Sequence, residues 1–254
     1  MKTEILYEDN SILVIRKPAG LAVQSAGIGQ ADVISELKSY LAKLPDAGRP
    51  GKGEPYLGIV HRLDQPVEGL LVFAKDKKAA ATLSKQLTEG ALNKHYYAVL
   101  CGYPDCPEGD LVDYLRKEGN VAVAVTGREQ EFADAKIATL HYRILEEIND
   151  PSPLALADVT IGTGRFHQIR VQFAHAGFPL FGDTKYGMAA RKEAMPAQKY
   201  RGVALCAYSL ELVHPVSGKK MGFRVVPKNP AFAGFAMEEL KKLTENETGI
   251  SKRG

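Results

Sequence analysis

The sequence lacks most of the features that would place it quickly. Three cysteines in 254 residues are an odd number that cannot all pair, which excludes a disulfide-stapled scaffold and points to a reducing compartment. No apolar run approaches the length of a membrane span, and the opening MKTEILYEDN has no apolar stretch behind a basic start. A bilayer segment and a signal peptide are therefore not expected, and a soluble, cytoplasmic protein is. Metal-ligand patterns are wanting too. Cys101 and Cys106 do not form a Cys-x-x-Cys pair, and no two of the six histidines (61, 95, 141, 167, 175 and 214) stand four apart, the spacing that puts two ligands on one helix face. There is no Gly-x-x-x-x-Gly-Lys-Ser/Thr loop for a nucleoside triphosphate and no Gly-x-Ser-x-Gly elbow for an esterase.

What is present is globular. Hydrophobic residues make up 45% and charged residues 25% of the chain, enough apolar surface for a substantial core. The net charge of +3 is barely basic, yet it is unevenly spread. Between Thr184 and Lys228 the sequence carries Lys185, Arg191, Lys192, Lys199, Arg201, Lys219, Lys220, Arg224 and Lys228 against only Glu193 and Glu211, a local +7 that leaves −4 elsewhere. Such a window is either ordinary solvated surface or a basic face for a polyanion such as RNA.

Periodicity gives a coarse map. Residues 4–8 and 12–16 read as strands around Asp9-Asn10-Ser11, and Lys17-Pro18-Ala19-Gly20 ends the run. Residues 31–43 read as a helix with Asp32 near its start, and residues 44–56 as a Gly- and Pro-rich loop. A buried strand is expected at 70–74, then a helix capped by Asp76 and stopped by Gly90, then a strand at 95–101. The second half adds strands at 140–145 and 155–161, a helix at 165–176, strands at 204–213 and 221–226, and a last helix from about 231 to 243. Strands and helices mix without steady alternation, which predicts an α+β fold on a curved mixed or antiparallel sheet with flanking helices. No composition break divides the chain, so 1–254 reads as a single domain.

Three polar clusters could carry chemistry. His61-Arg62-Leu63-Asp64-Gln65-Pro66-Val67-Glu68-Gly69 lies ahead of the apolar run. An Asp at that turn either projects into a cleft or merely satisfies turn backbone. Gly162-Thr163-Gly164-Arg165-Phe166-His167-Gln168-Ile169-Arg170 places two glycines and an arginine at a helix start, suited to phosphate or carboxylate or simply an ordinary charged first turn. Lys94-His95-Tyr96-Tyr97-Ala98 offers hydroxyls and faces for a base to stack on, or two strand aromatics on opposite faces. With metal and nucleotide motifs missing, an Asp acting without cofactor is the chemistry left.

In order, His-Arg-Leu-Asp at 61–64, Lys-x-Tyr-x-Ala at 94–98, Gly-Arg-x-His-Gln-Ile-Arg at 164–170 and Gly-Asp-x-x-Tyr-Gly at 182–187 resemble the RluA-type family of RNA pseudouridine synthases. Tyr7-Glu8-Asp9, Lys17-Pro18-Ala19-Gly20 and Leu212-Val213-His214-Pro215 extend the resemblance over residues 4–228.

The resemblance implies a pseudouridine synthase-like catalytic domain that isomerises uridine in rRNA or tRNA with no cofactor or metal. No membrane partner is expected, and with the oligomeric state open a monomer is favoured. It makes Asp64 the catalytic aspartate, Tyr96 the active-site tyrosine and Arg165 the arginine that pairs with the aspartate. Arg62 would fill the stack left by the flipped uridine, and His61, His167, Gln168, Arg170 and Lys185 would meet RNA. The sequence departs from the family after the aspartate. Gln65-Pro66-Val67-Glu68-Gly69 stands where relatives read Arg-x-Thr-Ser-Gly, so a base is lost and an acid gained beside the site. The motifs begin within ten residues of the start, which leaves recognition to the catalytic domain. Two other outcomes fit the same residues: a catalytically silent RNA-binding protein or RNA chaperone, and a nucleosidase-type hydrolase.

Overall fold

The computed structural model describes residues 1–25, 27, 29–44, 54–126, 134–149, 152–187 and 202–236. In chain order the elements are β1 (Glu4–Glu8), β2 (Ile12–Lys17), α1 (Val33–Leu41), β3 (Gly58–Ile59), β4 (Glu68–Ala74), α2 (Lys77–Thr88) and β5 (Asn93–Cys101). They continue with β6 (Glu108–Glu118), β7 (Val121–Val125), β8 (Lys136–Ile148), β9 (Leu154–Ile161), α3 (Gln168–His175), β10 (Leu205–Val213) and β11 (Lys220–Arg224). A 3-10 turn at Pro230–Phe232 follows. The class is α+β as expected, and the pairs β1–β2, β2–β4, β5–β9, β6–β8 and β8–β9 are antiparallel.

The chain forms two compact units, one from Met1–Lys94 with Ala207–Pro227, the other from His95–Cys206 with the chain resuming at Lys228. In the first, the strand order is β1-β2-β4-β10, with β11 on β10 and β3 on β4. β2 and β4 are buried along their whole length, which is why Ile12–Ile15 and Leu70–Ala74 read as unbroken apolar runs rather than alternating ones. Gly69 makes the neighbouring strand possible. Its φ of +131° is open to glycine alone, and a Cβ there would lie 2.5 Å from Ala207 backbone atoms. α1 and α2 start where the sequence says, because Asp32 and Asp76 accept from the Ser35 and Ala79 amides and so satisfy orphan donors of the first turn. Gln86 on α2 ties that helix to the sheet, bonding both the amide and the carbonyl of Val213.

The second unit is the sheet β5-β9-β8-β6-β7 with α3 packed against β6 and β7. Val171 of α3 joins Leu115, Ala122 and Ala138 in a small core, and Phe173 meets Tyr142 edge-on at 5.6 Å. Gln172, fully buried, donates to the Leu111 and Ala138 carbonyls and to Asp113. α3 begins at Gln168, three residues later than periodicity suggests, because His167 sits in the left-handed region at φ 54°. The expected final helix lies mainly outside the described residues. Its opening residues form the 3-10 turn, where Asn229 accepts from the Ala231 amide.

Candidate active site

Asp64 occupies a turn closed by the Val67 amide donating to its carbonyl at 3.1 Å. Leu63 and Val67 are buried on either side while Asp64 stays partly exposed, so the turn is anchored on both sides of the aspartate. The anchor comes from the Lys17-Pro18-Ala19-Gly20 segment. Lys17 has no exposed surface, and its Nζ donates to the carbonyls of Leu21 at 2.7 Å, Pro18 at 3.0 Å and Gln65 at 3.1 Å. The Gly20 amide donates to the same Gln65 carbonyl at 2.8 Å, and Gln65 Nε2 donates to the Gly20 carbonyl at 3.2 Å. Burial pulls the Lys17 ammonium down to about 7, against the carboxylates of Asp64 and Glu68, which favour its charge.

His61 is buried, with Nε2 accepting from the Val72 amide at 3.3 Å and Nδ1 without a hydrogen-bond partner among the described residues. Burial, helped by the nearby Lys94 charge, lowers it to about 3, so it is a neutral ring fixed to β4. Lys94, at the start of β5, is itself lowered to about 8 by burial. Arg62 is exposed. The new acid of the altered segment faces inward. Glu68 is 3% exposed, pairs with Arg16 at 3.4 Å, and adds no open negative charge beside Asp64.

Two further motifs of this unit meet each other. Asp9 Oδ1 accepts from the Ser11 and Ile12 amides, and its Oδ2 lies 2.7 Å from His214 Nε2. The backbone amides of Val216 and Ser217 donate to His214 Nδ1, which leaves the proton on Nε2 to be donated to Asp9. Burial works against the Asp9 charge, but the Ile12 and Ser11 amides with Tyr7 and His214 outweigh it and hold the carboxyl below its usual range.

In the second unit Tyr96 lies on β5, 5% exposed, opposite Val159 of β9. Gln168 organises the turn that carries Arg165. Its Oε1 accepts from the Arg165 amide at 2.9 Å and from the Thr163 hydroxyl at 2.7 Å, and its Nε2 donates to the Thr139 carbonyl at 2.9 Å. Arg165 Nε donates to the Ile137 carbonyl at 2.9 Å, which steadies a partly exposed guanidinium. Arg170, 4% exposed, grips Asp183 through two bonds of 2.7 and 2.9 Å. Asp183 also accepts from the Lys185 and Tyr186 amides, and the Tyr186 hydroxyl lies 2.6 Å from His167 Nδ1. Lys185 is exposed, its Nζ on the Asn120 carbonyl.

Among the residues expected at RNA, then, Arg62, His167 and Lys185 retain exposed surface, while His61, Gln168 and Arg170 are buried and bonded within their units. The sequence motifs contain Lys17, Asp183 and Tyr186 but do not show which groups they bond. The available signal for Lys17 is a second charge, after Arg16, at the end of a strand that opens with four apolar residues and stops at Pro18. Of the basic window, Arg191, Lys192, Lys199 and Arg201 lie outside the described residues. Lys219, Lys220 and Arg224 fall on the β10–β11 hairpin of the first unit, and Lys185 and Lys228 in the second. Among the described residues no cluster of three or more His, Cys, Asp or Glu side chains is arranged to hold a metal, and no helix is long and apolar enough to cross a membrane.

Each motif thus holds another in place: Lys17 with the Asp64 turn, Asp9 with His214, Arg170 and His167 with Asp183 and Tyr186. The model of the RNA pseudouridylate synthase family matches residues 11–175, and the chain belongs to that family. Its reaction is the isomerisation of uridine to pseudouridine in RNA.

Among curated relatives, the ribosomal large subunit pseudouridine synthase D of Pseudomonas aeruginosa is 36% identical over 230 residues, 87% of this chain and 67% of its own. That of Zymomonas mobilis is 32% identical over 225 residues, 87% of this chain and 68% of its own. The chain therefore spans about two thirds of the length of these relatives. The solved structure of human RNA pseudouridylate synthase domain containing 1 superposes with a TM-score of 0.71, covering 99% of this chain and 97% of that one at 19% identity, a likeness of fold.

Proposed function

We propose that the chain, acting as one catalytic domain, converts uridine in ribosomal RNA, or else in tRNA, using Asp64, Arg165 and Tyr96. The observation that carries this reading is the Asp64 turn, fixed by Lys17 and Gly20 while Asp64 itself remains partly exposed. Preorganisation of that kind suits a group that must act in one orientation. The curated relatives named for the ribosomal large subunit support ribosomal RNA first.

Pseudouridine formation breaks the bond from N1 of uracil to C1′ of ribose, turns the base, joins C5 to C1′, and removes the proton from C5 to restore the ring. An ionised Asp64 attacks the sugar or the base, or takes the 2′ proton, and Arg165 as counter-ion favours the ionised form. Tyr96 stacks on the uracil or accepts the C5 proton. The uridine leaves its stack to be reached, at a cost of a few kcal/mol, and Arg62 fills the gap. Gln168 and Arg170, and His61 fixed to β4, act as supports for these groups rather than by touching RNA. No step calls on a metal or organic cofactor. The monomer suffices for this chemistry, and the cytoplasm is where its RNA is found.

Chemical mapping of pseudouridine in rRNA and tRNA from cells lacking the protein tests the reading. Loss of at least one pseudouridine, restored by wild type but not by Asp64→Ala, is the expected result. Pseudouridine unchanged at every position, with the purified protein inert on total RNA, overturns it.

A further inference from the structure

The Gly-Arg-x-His-Gln-Ile-Arg turn carries a feature that the isomerisation does not use. Phe166, at its variable position, is 37% exposed, and its ring lies flat on His167, with centroids 3.7 Å apart and planes inclined by 22°. A single exposed phenylalanine is unremarkable on most proteins, but this one is built to stay put. His167 is the only residue other than glycine with positive φ among the described residues, a conformation that costs energy and persists where its surroundings enforce it. Here they do. Tyr186 holds the imidazole through a 2.6 Å contact and meets it edge-on, and the Tyr186 hydroxyl also accepts from the Ala122 amide at 2.8 Å. Behind the ring, Arg170 lies over Tyr186 and is locked on Asp183. The outcome is an aromatic shelf on a rigid mount, next in sequence to Arg165.

The charges around it select its ligand. Lys117 Nζ stands 5.0 Å from the Phe166 centroid, and Lys185, also exposed, holds onto Asn120 in the β6–β7 turn. An apolar ring face set among lysines matches a nucleobase attached to its phosphates, since any base can stack and each phosphate can take an ammonium. It matches an acidic or apolar peptide less well, because neither supplies a flat partner together with negative charge. Resting on the RNA reading above, we infer that Phe166, backed by His167, is a stacking shelf for an unpaired base of the RNA other than the reacting uridine, with Lys117 and Lys185 meeting the adjoining phosphates. The base displaces the Lys117 ammonium from the ring. An exposed ammonium gains little there, a stacked base gains more, and the freed Lys117 moves to phosphate.

The test uses the full-length chain and unmodified ribosomal RNA transcribed in vitro, with pseudouridine formation followed against RNA concentration. Phe166→Leu keeps the apolar bulk and loses the ring face, and should raise KM about tenfold, the effect falling on KM rather than kcat. Phe166→Tyr should restore wild-type KM. Transcripts carrying 5-iodouridine, irradiated on the protein, should crosslink to the peptide containing Phe166. Lys117→Ala should weaken binding and lower the slope of log affinity against log salt by about one. A KM for Phe166→Leu equal to wild type, a loss in kcat alone, or crosslinks that avoid Phe166 would overturn the shelf. If wild type itself makes no pseudouridine in this transcript or in total tRNA, the RNA reading fails instead, and the two failures remain distinct.

Discussion

An ammonium with no exposed surface is tolerated only while its protons find acceptors, and Lys17 finds three carbonyls. Replacing it by methionine keeps the bulk but strips the Pro18 and Leu21 carbonyls of this donor and leaves Gln65 with the Gly20 amide alone. Lys17→Met should therefore lower unfolding free energy by about 3 kcal/mol in urea titrations, on the usual cost of buried acceptors left unsatisfied. It should also slow pseudouridine formation, because the turn it loosens carries Asp64. The same residue shows why part of the site escaped sequence reading. Asp64 and Arg165 are legible because they sit in ordered motifs. The work of Lys17, Gln168 and Arg170 is to bond backbone or an acid distant in sequence, and nothing local records which atoms they will meet.

At the level of elements, legibility follows the range of the forces involved. α1 and α2 are set by Asp32 and Asp76, each capping an amide three residues on, and such local bonds can be read directly. β6 and β7 were not expected, although Gly119-Asn120 between two strand-like runs is a hairpin signal. The many charges of β6 hide its alternation. The start of α3 depends on His167 adopting positive φ, a choice made by Tyr186 nineteen residues later. The loop after α3 is bound by the buried Arg170–Asp183 pair. Asp183→Ala leaves a guanidinium buried without its partner and should cost about 3–5 kcal/mol, read as a lowered denaturation midpoint. Asp183→Asn, which still offers an oxygen to the Lys185 and Tyr186 amides, should cost less.

For the whole molecule, buried bases shape the response to pH. His61 stays neutral in the fold down to about pH 3, whereas in the unfolded chain it takes a proton near its ordinary 6.5. As pH falls from 6.5 to 3 the unfolded state binds the extra proton, and stability declines across that window by up to about 5 kcal/mol. His61→Gln, which keeps an acceptor for the Val72 amide, should flatten this part of the curve when urea unfolding is compared at pH 4 and pH 7. Lys17 and Lys94 act on the alkaline side. With folded values near 7 and 8 against an ordinary 10.5, they shed protons before the unfolded chain does, so their burial becomes less costly as pH rises toward 10.5.

The first unit is discontinuous: Asp9 waits for His214, and Gly69 for Ala207. During synthesis at roughly 5–20 residues per second, the amino-terminal strands leave the ribosome on the order of ten seconds or more before β10 and β11 exist to complete their sheet. Meanwhile the edge of β4 is open and its apolar faces are uncovered, the state most prone to pair with a neighbouring nascent chain. Strands made before the second unit are thus completed only after it, and the pace of translation through residues 95–206 sets how long they must wait.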